Sequence, residues 1–517
     1  MPSLHQRPDR HVAIDRRPGH YLSFPDVALT RDGRLLCAYQ QSDQHVANRR
    51  ALLLAESRDL GASWSLPRLL NAAAGHCPRL TVLEDGEVLL LDDHSQSAYR
   101  SLDHGRNFAA HPTKGLRHSI PDRPLPLGGE RMFTTGHNHC GTSPQHYTGQ
   151  PSAEQMGYLS DDRGGHWTPL APLATERNLV LCEASVVRLP DGRLLALLRE
   201  NSGAFEPMYR VESADQGRTW STPAPTPLIG HRPTLGLTSD GRLLVTYRNV
   251  GPDGGTAAWL GNLDGLGDFA VHGLARSPGN PRLAAQGLVI DTRQGFPSRA
   301  NPDGDGVIYV LRPLTDPERS TADLRVRVKA GPGGENCAAV HLGLWWRIRP
   351  GRLAAAGDNP PDIPLGKGFH DLRFRYKAGA VTVFVDGERK ARVRVEPTAA
   401  ARRIFFGNAP GEGGQEGLST WRSASLSLDE PRLGRRYAWA WDHTSGLPDA
   451  WVRTHVLELA NGRHANAGDF GYTGWTELPD GRFFCAYHHA DGTAPDYAEG
   501  RSAHIRGTWF TADDFSA

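Results

Sequence analysis

The apolar positions of this chain recur as paired runs on either side of an Asp-Gly dipeptide. The unit reads SFPDVALTRDGRLLCAY from Ser23, CPRLTVLEDGEVLLL from Cys77, EASVVRLPDGRLLALLR from Glu183, RPTLGLTSDGRLLVTYR from Arg232 and YTGWTELPDGRFFCAY from Tyr472. A degenerate copy, IPDRPLPLGGERMFTTGH, starts at Ile120. Each copy predicts a β-hairpin, because β-rich runs flank a turn dipeptide that joins antiparallel strands. A second unit follows four of the hairpins: SRDLGASW from Ser57, SLDHGRNF from Ser101, SDDRGGHW from Ser160 and SADQGRTW from Ser213. In this S-x-D-x-G-x-x-W pattern the Ser and Asp side chains can bond turn backbone, Gly takes a positive φ, and the aromatic pins the turn between sheets. These turns are expected to be structural.

A different pattern interrupts the repeats. GFHDLRFRYKAGAVTVFVDGERKARVRV alternates strictly through Leu372, Phe374, Tyr376 and then Val381, Val383, Val385, turning at Asp386-Gly387. GVIYVLRPL, AAVHLGLWWRI and RIFFGN supply further strands. The pattern predicts an autonomous β-sandwich inserted at about residues 283–433, between a first part of a larger all-β domain (1–282) and its last, closing part (434–517).

Composition agrees with many short strands. Gly numbers 58, Pro 38 and Met only 4 among 517 residues. Lys+Arg is 58 against Asp+Glu 57, so no bulk field favours nucleic acid or an anionic membrane. Six scattered Cys (Cys37, Cys77, Cys140, Cys182, Cys337, Cys485) with no CxxC pair suggest reduced thiols. MPSLHQRPDRHVAIDR lacks an apolar signal core, and no run approaches about 18 apolar residues. A soluble chain is expected, cytoplasmic as given, or secreted or periplasmic if a signal has been removed.

The hairpins and S-x-D-x-G-x-x-W turns resemble the Asp-box (BNR) repeats of the sialidase superfamily, over roughly residues 10–275 and 434–517. The interrupting run resembles concanavalin-like (laminin-G-like) jelly-roll modules, expected here as a spacer. The resemblance implies an all-β fold: a six-bladed β-propeller with an inserted β-sandwich (jelly roll). Its blades are headed near Phe24, Cys77, Ile120, Glu183, Arg232 and Tyr472, and HVAIDR at the N-terminus completes the blade ending in HIRGTWF. A seventh blade would require residues 434–460 to form one.

In a propeller the first strand of each blade lies nearest the axis, so the position eight before the Asp-Gly aspartate is the natural place for chemistry. It holds Phe24, Cys77, Glu183, Arg232 and Tyr472. The sialidase resemblance implies Tyr472 as nucleophile and Glu183 as its activating partner, a pairing that spares an anionic substrate the repulsion of a carboxylate nucleophile. It also implies Arg199, sixteen residues after Glu183, and Arg232, with Arg248 as the alternative, as the grip on a substrate carboxylate. Two departures stand out. Ser23 or Phe24 occupies the place of the first clamp arginine, and His488 the place of that arginine's glutamate. The acid/base aspartate is expected in QQSDQHVANRR as Asp43, beside His45, with Asp92, Asp93 and His94 as rivals. The reading is a retaining exo-glycosidase acting on a glycan with a terminal, acidic or even neutral sugar, without cofactor or metal.

Histidines supply a rival. His118, His137 and His139 precede Glu183 and resemble the catalytic histidines of propeller-type ulvan lyases and their rhamnosidase relatives, in which His or Tyr abstracts a proton beside an Arg-neutralised uronate. The spacing of His137, His139 and Cys140 matches no standard zinc pattern. A non-catalytic glycan-binding propeller is the third reading.

Overall fold

Six four-stranded antiparallel sheets carry the hairpin repeats and form a six-bladed β-propeller. The computed structural model describes residues 1–516 except 46, 48, 93–96, 139–153, 253, 276–279, 294–306, 334–337, 357–360, 409–416 and 463–468. Blade 1 runs outward through Tyr21–Leu29, Leu35–Ser42, Arg50–Ser57 and Arg68–Asn71. The inner strands of blades 4, 5 and 6 are Leu181–Arg188, Gly230–Leu237 and Phe470–Glu477. Closure is made by His11–Asp15, which pairs antiparallel with His504–Phe510 as the outermost strand of blade 6. The circle is thus sealed by hydrogen bonds between the two ends of the chain.

The four S-x-D-x-G-x-x-W turns join the third and fourth strands of blades 1 to 4. In blade 1 Ser57 Oγ donates to Asp59 at 2.7 Å, Gly61 N donates to Ser57 Oγ at 2.9 Å, and Trp64 Nε1 donates to the Gly61 carbonyl at 2.9 Å. Ser101, Ser160 and Ser213 bond Asp103, Asp162 and Asp215 in the same way. In three of the four turns the glycine presses on the preceding blade. A Cβ on Gly61, Gly105 or Gly217 would stand 2.8 Å from Phe484, 2.3 Å from Leu36 or 2.5 Å from the Phe133 ring, whereas Gly164 faces its own turn's Trp167.

The interruption falls where blade 5 would carry its own turn of this kind. Its third strand is Gly255–Gly261, and its fourth, Val456–Asn461, arrives only after the intervening residues. Between them lie a seven-stranded and an eight-stranded sheet that share one apolar core, including Leu324, Val326, Phe374, Val383, Trp346 and Phe406. The alternation read at Leu372–Tyr376 and Val381–Val385 holds, with those side chains facing the core. Strand pairing extends this sandwich beyond 283–433: His272–Ala275 pairs with Val307–Leu311, and Arg435–Asp442 pairs with Gly417–Glu430. Residues 434–460 therefore make no seventh blade.

The sandwich is not an independent appendage. Ile229 of blade 5 is part of its apolar core, with Phe205 packed against it. Arg402, fully buried, reaches the loop after blade 4's second strand, where it pairs with Glu206 and donates to Ser202 Oγ at 3.3 Å. Arg403 donates to the Gly203 carbonyl at 2.7 Å and Arg435 to the Pro223 carbonyl at 2.8 Å. Isolated Arg residues in a sequence do not disclose such long-range partners.

Candidate active site

All six blade heads share one backbone conformation that the sequence alone did not reveal. Phe24, Cys77, Ile120, Glu183, Arg232 and Tyr472 have φ between 46° and 55°, each a non-glycine residue in the left-handed region. Where register is defined, the head sits in a bulge: the pairing shifts between Ser23 and Asp26, Cys182 and Ser185, His231 and Thr234, and Gly471 and Gly474. Such a conformation costs about 1–2 kcal/mol per residue. Phe24, Cys77 and Ile120 pay it without reactive chemistry, so the device is architectural as well: it folds each head toward the axis. The residue two further on bonds the next blade. Leu80 N donates to Asp26 at 2.8 Å, Val186 N to Asp122 at 2.8 Å, and Leu235 N to Ser185 Oγ at 3.1 Å.

A second ring comes from the neighbouring strand. Cys182 pairs with Arg199, His231 with Arg248, Gly471 with His488 and Ser23 with Gln40. The hairpin length explains why these residues lie sixteen after their heads.

At the centre, Tyr472 Oη donates to Glu183 Oε1 at 2.7 Å. Arg199 Nη1 donates to Glu183 Oε2 at 2.8 Å and to Tyr472 Oη at 3.1 Å, and its Nη2 bonds Asn201 Oδ1. Arg248 lies over the Tyr472 ring, 4.4 Å from its centroid, steadied by a 2.7 Å bond from Nε to the Phe470 carbonyl. Phe24 closes the other side, its ring 4.8 Å from Tyr472 and 5.4 Å from His488. His45 and His76 pack edge-on against Phe24.

Electrostatics follow from burial and these partners. Burial raises the Glu183 carboxyl, but the Arg199 guanidinium, followed by His137 and Arg232, outweighs it and holds the group well below the usual carboxylate range. Burial and then the Glu183 carboxylate push the Tyr472 phenol above its ordinary value, against Arg199 and Arg248. Burial, then Arg248, lowers His45 to about 4, and burial with Arg199 and Arg248 keeps His231 neutral as well.

Of the residues singled out from sequence, Tyr472, Glu183, Arg199 and Arg248 form this one constellation, with His45 and His488 around it. Arg232 lies near Glu183 but is fully buried, its Nη2 donating to the Pro121 carbonyl at 3.0 Å, so a direct grip on substrate does not follow from its position. His137 is buried in blade 3 near Glu183. His118 is engaged by Tyr158 and by Glu154 at 3.4 Å. Asp43 is exposed directly after the strand Leu35–Ser42. Asp92 is buried and accepts from Gly75 N at 3.1 Å. Asp93, His94, His139 and Cys140 lie outside the described residues. Among the described residues no cluster of His, Cys, Asp or Glu could hold a metal ion.

The sequence reading missed Asp469 and His231. Asp469 is buried, accepts the Tyr21 hydroxyl at 3.0 Å, lies 3.8 Å from His45, and burial raises its pKa. Neither is a blade head: Asp469 lies three residues before the head Tyr472. His231 directly precedes the head Arg232 and pairs with Arg248 across the hairpin, so the sixteen-residue offset could have pointed to His231.

Residues 92–252 match the family model described as a BNR repeat-like domain. No curated protein matches the chain. Among solved structures, a protein of unknown function from Dyadobacter fermentans is similar at 13% identity and a TM-score of 0.50, covering 97% of each chain. That likeness concerns the fold. A Trypanosoma rangeli sialidase in complex with 2,3-difluoro-KDN is more distant, at 12% identity and a TM-score of 0.33, over 78% of this chain and 81% of that one. A Bacteroides ovatus xyloglucan-locus GH43B protein stands at 12% and 0.34, over 80% of this chain and 100% of that one. At those scores neither bears on this chain's chemistry.

Proposed function

We propose that this propeller is a retaining exo-glycoside hydrolase in which Tyr472 attacks the anomeric carbon of a terminal acidic sugar and Glu183 takes the phenolic proton. The observation that carries the reading is the 2.7 Å bond from Tyr472 Oη to Glu183 at the propeller axis, with Arg199 bonded to both. A phenol with an ordinary pKa of about 10 is a poor nucleophile at neutral pH without such a partner.

The resting pair is mismatched: the carboxyl is held low and the phenol high. Arg199 is the reason for the first, and it is also the guanidinium best placed to receive an anionic substrate. A substrate carboxylate that draws Arg199 away from Glu183 returns basicity to Glu183 as the substrate arrives. Attack forms the bond from Tyr472 Oη to the anomeric carbon and breaks the glycosidic bond. The leaving oxygen takes a proton from a carboxylic acid, Asp43 or Asp469, and water then hydrolyses the glycosyl-tyrosine with retention. Burial shifts Asp469 upward, the direction that favours a protonated acid; Asp43 has the exposure.

The test is Tyr472→Phe, assayed over a panel of sialosides, uronides and rhamnosides. Turnover should fall at least about a thousandfold with stability changed by only about 1 kcal/mol, because one hydroxyl is removed. A 2-fluoro sugar should label the Tyr472 peptide of the parent. An active Tyr472→Phe beside a dead His118→Ala or His137→Ala would give the chemistry to the histidines, and an ultraviolet-absorbing unsaturated product would make it a lyase. His118 is already engaged by Tyr158 and Glu154, which favours the tyrosine.

A further inference from the structure

The outward face of the eight-stranded sheet is crowded with cations in register. Its inward residues alternate with Asp323, Arg325, Arg327 and Lys329 on one strand, Arg373, Arg375 and Lys377 on the next, and Arg392 and Arg394 at the edge. Arg325 stands opposite Arg373, Arg373 opposite Phe384, and Phe384 opposite Arg389. One cross-strand row therefore sets three guanidiniums and an aromatic ring at the roughly 4.8 Å strand spacing. The next row places Asp323, Arg375, Thr382 and Arg392 side by side, with two guanidiniums to one carboxylate. Asp323 pairs with Arg325 at 3.1 Å and also with Arg373, and Asp371 pairs with Arg327 at 2.6 Å, leaving the cations in excess. Arg325 is 60% exposed and Arg327 41%.

Ion pairing accounts for only part of this. Like charges directly opposite each other destabilise a sheet. Asp323 relieves Arg325 opposite Arg373 by bonding both, but one carboxylate serves two guanidiniums between two central strands. Edge protection accounts for cations on Glu388–Arg394 but not for those further in. Beside the row the face dips into a groove of about 450 Å3, floored by Ser423 and Ser425 and walled by Arg325, Arg373 and Phe384, with Asp371, already paired with Arg327, at its side. Arg373 also lies over the Phe384 ring at 5.4 Å.

We infer that this face binds an anionic polysaccharide, a chain of uronate or similar acidic residues lying across the strands. Guanidiniums set at one and two strand spacings suit repeated carboxylates, and the ring between them offers an apolar surface to a pyranose. The choice of polysaccharide over nucleic acid rests on the glycosidase reading, and the local row of guanidiniums supplies the attraction that a net charge of only +1 does not. The site would hold a polymer while the propeller acts on its end.

The experiment titrates fluorescent oligogalacturonate with the full chain at low and high salt, with neutral dextran and duplex DNA as competitors. Binding should weaken steeply with salt and resist dextran. Arg375→Gln/Arg392→Gln should weaken it about tenfold, and Arg375→Glu/Arg392→Glu should abolish it, while turnover of a small glycoside stays unchanged. Tyr472→Phe should bind like the parent, so loss of catalysis and loss of this surface are separable. Absence of binding at low salt overturns the inference. So does stronger competition by DNA, or binding lost in Arg199→Lys but kept in Arg375→Gln/Arg392→Gln.

Discussion

Glu183 does two jobs whose demands conflict. As the partner of Arg199 it is ionised and stabilising; as a base for Tyr472 it needs to accept a proton. The first job can be measured without substrate. Its folded pKa is depressed, so its contribution is present above the unfolded carboxyl pKa of about 4.3 and is lost as pH falls through the folded value. Glu183→Gln leaves Arg199 buried without its counter-charge, so it should cost about 3–5 kcal/mol near neutrality. The gap between parent and variant should narrow below about pH 4, as the parent loses its own ion pair. A gap that is constant with pH in urea titrations would mean that Glu183 is not the ionised partner. Arg199→Lys removes the fork that bonds Glu183, Tyr472 and Asn201 together, and should impair turnover despite conserved charge.

The blade is the element at which the sequence was most legible, because each hairpin writes its own signals: an Asp-Gly turn, β-rich runs and, four times, a Ser-Asp-Gly turn. Those are local constraints, so they located the heads, including Tyr472 and Glu183, and the sixteen-residue offset to Arg199. What is not local was not legible. The left-handed φ of the heads is carried by Phe, Cys, Ile, Glu, Arg and Tyr, none of which advertises it. Asp469 reaches the site through Tyr21, 448 residues away in sequence. Two glycines separate turn conformation from blade packing. Gly217 (φ +88°) would bring a Cβ to 2.5 Å from Phe133, whereas Gly192 (φ +89°) has nothing within 4 Å. Gly192→Ala should therefore cost about 1 kcal/mol from backbone strain alone, and Gly217→Ala about 2–4 kcal/mol. Equal shifts in denaturant midpoint would show that these turns do not press on the preceding blade.

In the whole molecule the sandwich is tied to the propeller close to the candidate site. Arg402 reaches Ser202 and Glu206; Ser202 Oγ donates to Glu200 at 2.8 Å; Glu200 accepts Val180 N at 3.0 Å; Asn201, between them, bonds Arg199. Burial raises Glu200, with Arg402 opposing and Glu206 reinforcing, so removing Arg402 leaves two buried carboxyls close together without their cation. A spacer joined only by its ends would not behave this way, and excising it should destabilise the propeller by uncovering Ile229 and stranding Glu206. The sharper test spares the chain. Arg402→Ala should lose about 3–5 kcal/mol, since one partner of a buried pair is left uncompensated. Arg402→Met/Glu206→Met removes both charges of that pair with apolar volume kept, and should recover much of that loss. The comparison is read from thermal midpoints alongside turnover of a small glycoside. A double variant as damaged as the single one would mean that Arg402 acts through packing alone; a single variant as stable as the parent would mean that the sandwich is a passenger on the propeller.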